Sequence, residues 1–144
     1  MPTPKGFTLL EILIVLVLVI MIVVMSAVLG RQTILNQELE RVRETIRSEL
    51  VRAQGDTIAG TRDASWGVAF STNTVTRFQG TSYATRNQAF DAVTTFQNVT
   101  ITGPTEIVFS RPEGVPTGTG TITVTLGTRT TTVTVNAAGA ITVQ

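Results

Sequence analysis

The feature that most constrains the fold is an apolar stretch near the N-terminus, at residues 7–29. Its 23 residues would form a helix of roughly 34 Å at a rise of about 1.5 Å per residue, enough to cross a bilayer's hydrocarbon core. Glu11 is the single charged residue within it. A carboxylate near the bilayer centre costs about 2.5–3.5 kcal/mol. The sequence therefore predicts a membrane-length helix with one costly acidic residue close to its start.

Three interpretations of this stretch compete. A removed secretory signal would have a shorter apolar core and a small-residue cleavage site, which Ser26-Ala27-Val28 matches poorly. A plain membrane anchor explains the length but neither Glu11 nor the polar residues before it. In the third interpretation, cleavage after Gly6 removes residues 1–6 as a leader, and the apolar helix stays in the mature protein.

The segment that supports the third interpretation is KGFTLLEILIVLVLVI. It resembles the class III leader and N-terminal helix of type IV pilins and type II secretion pseudopilins. In that family a prepilin peptidase cuts after the glycine, and the new N-terminal residue is N-methylated. The resemblance implies cleavage after Gly6 and methylation of Phe7 as the new N-terminus. It also assigns Lys5 as the basic residue of the leader and Glu11 as an assembly residue.

The spacing of Phe7 and Glu11 has a physical rationale. After cleavage Phe7 would carry a free amine, and Glu11 would follow one helical turn later. In a staggered helix bundle, Glu11 of one subunit would neutralise the Phe7 amine of the next. That attraction is strong at low dielectric, although desolvation of both ions reduces its net value. The pairing would favour one register over others. Alternatively, Glu11 reaches water at the membrane surface of an ordinary anchor.

After Gly30 the pattern becomes that of an amphipathic helix over residues 30–54. Its apolar face repeats at steps of four and three: Leu35, Leu39, Val42, Ile46, Leu50 and Ala53. The opposite face carries i,i+3 pairs with Glu first, the favoured order: Glu38-Arg41, Glu40-Arg43, Glu44-Arg47 and Glu49-Arg52. We expect that face to be solvated, and the helix to end at Gly55-Asp56 and Gly60.

Residues 55–144 are predicted to form a β-rich head. The candidate strands are Trp66–Phe70, Val75–Gln79, Phe90–Phe96, Asn98–Thr102, Glu106–Ser110, Thr121–Leu126, Thr130–Asn136 and Ala140–Val143. Apolar and threonine residues alternate in the last three, as in a sheet with one face on a helix and the other in water. The predicted class is α+β and pilin-like: a long N-terminal helix, transmembrane and then amphipathic, packed on an antiparallel sheet.

The head also resembles the GspH/FimT-type minor pseudopilins. The resemblance lies in Trp66-Gly67-Val68, in residues 107–114 (IVFSRPEG), and in the closing TTVTVNAAGAITV. Many major pilins carry a helix-breaking Pro and Gly in the apolar helix, and a cysteine-bounded loop near the C-terminus. This chain has no Pro or Gly between Gly6 and Gly30 and no cysteine, which favours a minor subunit.

Composition argues against catalysis and against a nucleic-acid partner. The chain has no cysteine and no histidine, so a thiolate site and the commonest general base are both excluded. The acidic residues show no ligand spacing, so no catalytic residue, metal or cofactor is predicted. The formal net charge is +1, the arginines of the helix lie among glutamates, and the tail GAITVQ carries no basic residue. DNA is therefore not a favoured partner.

The function that the sequence predicts is structural. We expect a prepilin-like minor subunit of a type IV pilus or type II secretion pseudopilus, processed by prepilin peptidase and assembled through its N-terminal helix. Its partners would be other pilin or pseudopilin subunits and lipid of the cytoplasmic membrane, which it would cross once with the head outside the cytoplasm. From there it would enter a pilus or pseudopilus in the periplasm or at the cell surface. The alternatives are a minor pilin of a DNA-uptake or adhesive pilus, and a stand-alone membrane-anchored module that binds an extracellular ligand.

Overall fold

The computed structural model describes Gly6 and residues 8–144, without the side chains of residues 26–35. One long helix, α1, spans Leu9–Ile58. Two short 3-10 helices, Thr61–Asp63 and Tyr83–Thr85, lie in the connections that follow. The chain divides into two compact units, Met1–Gln37 and Glu38–Gln144. The second unit holds the C-terminal part of α1 and every strand in the described chain.

The strands form two antiparallel sheets. Their bounds are β1 Trp66–Phe70, β2 Thr74–Gln79, β3 Asn87–Thr95, β4 Thr100–Thr102, β5 Glu106–Ser110, β6 Val115–Pro116, β7 Gly120–Leu126, β8 Arg129–Val135 and β9 Ile141–Val143. The first sheet has the order β3-β2-β1-β5-β6, and the second has the order β4-β7-β8-β9. The prediction of an antiparallel β-rich head is therefore confirmed, but the head contains two sheets where the sequence indicated one.

The division into two sheets arises between β3 and β4. Asn98 adopts a φ of 57°, the left-handed conformation that asparagine tolerates in turns, and the chain leaves the first sheet there. Strand β4 then pairs with β7, with Ile101 opposite Val124. The N–H of Ile101 still donates to the carbonyl of Thr72, at 2.7 Å, so the loop between β1 and β2 stays bonded to β4.

The core of the second unit lies between α1 and the two sheets. The predicted apolar face of the helix is buried: Leu39, Val42, Ile46, Leu50 and Ala53. The side chain of Leu35 is outside the described set. In the core these residues pack with apolar side chains from both sheets, including Val68 and Phe109 of the first and Ile122 and Val133 of the second. Since the face repeats at 3.6-residue spacing, helix periodicity alone predicts which residues are buried.

Helix α1 continues through Gly55 and ends at Ile58, later than Gly55-Asp56 indicated. Gly60 follows with a φ of 64°, and its N–H donates to the carbonyl of Thr57 at 3.1 Å. This left-handed glycine after the helix satisfies an otherwise unpaired carbonyl of the last turn. Thr57 is fully buried, which explains why the helix persists to that point.

The charged face of α1 is only partly solvated. The pairs Glu40–Arg43, Glu44–Arg47 and Glu49–Arg52 form as predicted. However, the side chain of Glu49 is only 12% exposed, because Arg77 of β2 lies against it. Arg77 Nε donates to Glu49 Oε2 at 3.0 Å, and its Nη1 donates to Asp56 Oδ2 at 2.7 Å. The prediction of a solvated face is therefore wrong for Glu49, whose additional cationic partner comes from the sheet.

Candidate functional site

The site predicted from the sequence lies at the start of α1. The N–H of Glu11 is 3.0 Å from the carbonyl oxygen of Thr8 and 3.3 Å from its Oγ1. A threonine that bonds the N–H three residues later is a helix N-cap, and glutamate at that third position is the usual partner in a capping box. The charge of Glu11 also lies in the first turn, where the helix dipole favours an anion. Thr8 therefore caps the helix start, and the carboxylate of Glu11 lies where the helix dipole stabilises it.

Of the four residues predicted for processing and assembly, Gly6 and Glu11 lie within the described part of the chain. Gly6 is exposed, and no heavy atom lies within 4 Å of the position that a β-carbon would take there. Glu11 is exposed on the first turn of α1. Lys5 and Phe7 lie outside the described residues, so the roles assigned to all four remain predictions.

Thr8 is a residue that sequence reasoning missed. Its signal was present as Thr8-x-x-Glu11 directly before an apolar run, the spacing of a capping box. The interpretation of Glu11 as a charge within a membrane helix did not take its three-residue spacing from Thr8 into account. The structure adds this local role to the predicted assembly role.

The surface of the N-terminal part of α1, around and after Glu11, is apolar and exposed. The large apolar side chains between Leu9 and Met25 are between 51% and 83% exposed, with Ile14 the least and Leu9 the most exposed. In contrast, five of the predicted apolar residues from Leu39 onward are buried in the head core. No helix in the described part of the chain meets the length and apolarity needed to cross a membrane.

The charged residues of the head form pairs rather than a ligand cluster. Within the described residues, no group of three or more acidic side chains could hold a metal ion. Several arginines are bound to carboxylates, which reduces the positive charge available to a phosphate backbone: Arg43, Arg47, Arg52, Arg77, Arg86 and Arg111.

A second concave site lies on the first sheet, on the face that points away from α1. It is a groove of about 570 Å³ lined by Ala69, Phe70, Ser71, Thr74, Thr76, Ser82, Tyr83, Ala84, Thr105 and Glu106. Within the sheet Ala69 lies between Thr76 of β2 and Glu106 of β5. Sequence reasoning did not find this groove, because its lining comes from distant segments that only strand register brings together.

The architecture places the chain in a recognisable class of fold. An N-terminal helix whose C-terminal part packs on an antiparallel β head gives the chain an α+β fold. The structure is similar to that of the minor pseudopilin EpsH from the type 2 secretion system of Vibrio cholerae, with a TM-score of 0.58 and 14% sequence identity. The similarity covers 74% of this chain and 96% of EpsH, and at this identity it shows a shared fold. No protein-family model matches the chain, and the curated proteins include no significant match.

Proposed function

We propose that this chain is a pilin-like structural subunit, of the minor type, that assembles through its N-terminal helix into a pseudopilus or pilus. The observation that carries the proposal is the contrast within α1. The apolar face from Leu39 to Ala53 is buried in the head core, whereas the apolar side chains of Leu9–Met25 are exposed. A helix with apolar residues all round needs lipid or other helices around it. The fold shared with EpsH, a minor pseudopilin, supports a pilin-like structural role.

In this proposal the N-terminal helix has two successive environments. Before assembly, lipid of the cytoplasmic membrane covers the side chains of Leu9–Met25, with the head outside the cytoplasm. In the filament, helices of neighbouring subunits replace the lipid. Each apolar Å² removed from water contributes about 25 cal/mol, so a subunit without either environment would aggregate.

Processing prepares the assembly contact. Prepilin peptidase would cut after Gly6, which the exposure of Gly6 permits. The amine of Phe7, N-methylated, would then pair with Glu11 of an adjacent subunit. Such a pair would fix the axial register of the helices, because a misplaced subunit would leave Glu11 charged and unpaired at low dielectric.

Two measurements on the full chain, expressed with a prepilin peptidase and the other subunits of the filament, test the proposal. Intact mass spectrometry should show a mature protein lacking residues 1–6, and Gly6→Ala should retain them. Glu11→Ala should remain in the membrane fraction but be lost from sheared filaments. A stand-alone membrane-anchored module would instead be absent from the filaments in both the parent protein and Glu11→Ala. Removal of residues 1–6 from the Gly6→Ala variant would contradict the cleavage assignment.

A further inference from the structure

We propose that the groove on the first sheet binds a neutral saccharide. The groove lies on the face that carries the small apolar cluster of Ala69, Phe78 and Val108, opposite the main core. The loop of residues 80–86 forms one wall, and the ring of Tyr83 packs edge-on against Phe78 with centroids 5.5 Å apart. This inference goes beyond the proposed structural role and does not depend on it.

The wall of the groove is held in place by a short network of polar contacts. The N–H of Tyr83 donates to Glu106 Oε2 at 2.7 Å. Arg86 Nη1 donates to the carbonyl of Tyr83 at 2.8 Å, and Arg86 Nε donates to Asp91 Oδ2 at 2.8 Å. The guanidinium of Arg86 also stacks on the Tyr83 ring, 3.7 Å from its centroid. A site fixed in this way loses little conformational entropy when a ligand enters.

The polar lining selects the class of ligand. Six lining residues carry hydroxyls, groups that can both donate and accept: Ser71, Thr74, Thr76, Ser82, Tyr83 and Thr105. Glu106 is the single charged residue of the lining, and it disfavours an anion. Lysine and arginine side chains only donate, so they would leave the hydroxyl donors unmatched. Sugar hydroxyls donate and accept, and they therefore match both the hydroxyls and the carboxylate.

Thr76 is the most buried residue of the groove lining. Only 4% of it is exposed, and no described residue hydrogen-bonds its hydroxyl. A ligand in the groove can therefore bond this hydroxyl without displacing an internal hydrogen bond. The apolar part of the lining, Phe70, Tyr83 and two alanines, provides area for the C–H face of a sugar ring. The volume of about 570 Å³ lies within the range of small-ligand sites.

Saturation-transfer-difference NMR on the full chain in a zwitterionic, sugar-free detergent tests the proposal. The probes are cellobiose, lactose and chitobiose, with the anion sialyllactose and the cation tri-lysine compared at the same millimolar concentration. We expect transfer to at least one neutral disaccharide, with amide shifts at Tyr83, Ala84 and Glu106. Absence of transfer to all three neutral disaccharides would overturn the proposal, as would binding of tri-lysine alone.

Matched variants test whether a bound saccharide lies in the groove. Glu106→Gln and Thr76→Val should each weaken the affinity about tenfold, the value of one hydrogen bond to a polar or charged partner. The controls are Glu113→Gln, which changes an exposed carboxylate outside the groove, and Thr123→Val on the second sheet. Thr76→Val keeps the shape of the side chain and the anchor of Tyr83, so it tests the site even if Glu106→Gln disturbs the loop. Equal losses in variants and controls would refute the location.

Discussion

The backbone N–H of Trp66 donates a hydrogen bond of 3.0 Å to the hydroxyl of Thr57. Thr57 lies in the last turn of α1, and Trp66 is the first residue of β1. Within the sheet, Trp66 lies opposite Gln79 of β2 on one side and Phe109 of β5 on the other. Thr57 is 0% exposed and Trp66 is 4% exposed. This contact therefore joins the end of the helix to the central strand of the first sheet inside the core.

Thr57→Val should destabilise the head by about 1–3 kcal/mol, because it removes the hydroxyl that accepts from the buried N–H of Trp66. Valine has nearly the same shape, so the change removes the hydrogen bond without creating a cavity. Trp66 is the single tryptophan of the chain, and its fluorescence during urea unfolding of the full chain in detergent measures the difference.

Thr45→Val is the matched control for this prediction. Thr45 Oγ1 donates to the carbonyl of Arg41 at 2.8 Å, as Thr57 Oγ1 does to that of Ala53 at 2.9 Å. Thr45 has no further hydrogen-bond partner among the described residues, so its variant should stay within about 0.5 kcal/mol of the parent. Similar unfolding midpoints for the two variants would contradict the role given to Thr57.

Arg77→Met should destabilise the head by about 1.5–3 kcal/mol, since it leaves Glu49 charged beside the sheet with only its weak helical partner. Arg52→Met is the control, because Arg52 is 65% exposed and lies 3.6 Å from Glu49. An exposed pair of this kind contributes at most about 1 kcal/mol. The double variant Arg77→Met/Glu49→Gln should recover part of the loss in the same urea assay. A double variant less stable than Arg77→Met would contradict the proposed coupling.

Substitution by alanine at two glycines, Gly67 and Gly55, should change the free energy of unfolding in opposite directions. A β-carbon at Gly67 would lie 2.8 Å from Phe78 Cζ and 2.9 Å from the carbonyl oxygen of Ile107, so Gly67→Ala should destabilise by about 1–3 kcal/mol. At Gly55, on an exposed face of α1, nothing lies within 4 Å of the β-carbon position. Gly55→Ala should therefore stabilise the helix by about 0.5–1 kcal/mol. Thermal unfolding followed by circular dichroism compares them, and a destabilised Gly55→Ala would refute this account.

Local patterns in the sequence predicted the parts of the fold that depend on neighbours along the chain. The buried face from Leu39 to Ala53 followed from helical spacing, because a helix face is fixed by residues three and four apart. Strands β1 and β5 begin and end where their apolar composition indicated. Strand β6, Val115–Pro116, has two residues and therefore no periodicity to detect.

The features that were not predicted depend on contacts between distant segments. The pairing of β4 with β7 decides that the head has two sheets, and the sequence does not encode that register locally. Burial of Glu49 required Arg77, 28 residues away. The groove required Ala69, Thr76 and Glu106 to become neighbours across three strands. At the start of α1, by contrast, the Thr8-x-x-Glu11 spacing is a local signal from which the helix cap could have been predicted.

The helix cap made by Thr8 and the proposed assembly role of Glu11 can be separated experimentally, and this prediction rests on the proposed function. Glu11→Gln keeps a side chain suited to a capping box but removes the charge that would pair with the Phe7 amine. Thr8→Ala removes the cap, at about 1 kcal/mol, but keeps the charge. Hydrogen exchange by mass spectrometry reports the first turn of α1, and recovery in sheared filaments reports assembly.

We expect Thr8→Ala to speed exchange in the first turn while filament recovery stays near that of the parent protein. Glu11→Gln should leave exchange nearly unchanged and lower filament recovery at least tenfold, because one fully desolvated charge would lose its partner. Normal filament recovery for Glu11→Gln, together with a loss for Thr8→Ala, would show that assembly depends on the helix cap and not on the charge of Glu11. In that case the apolar surface of Leu9–Met25 would drive assembly without a charge pair to set the register.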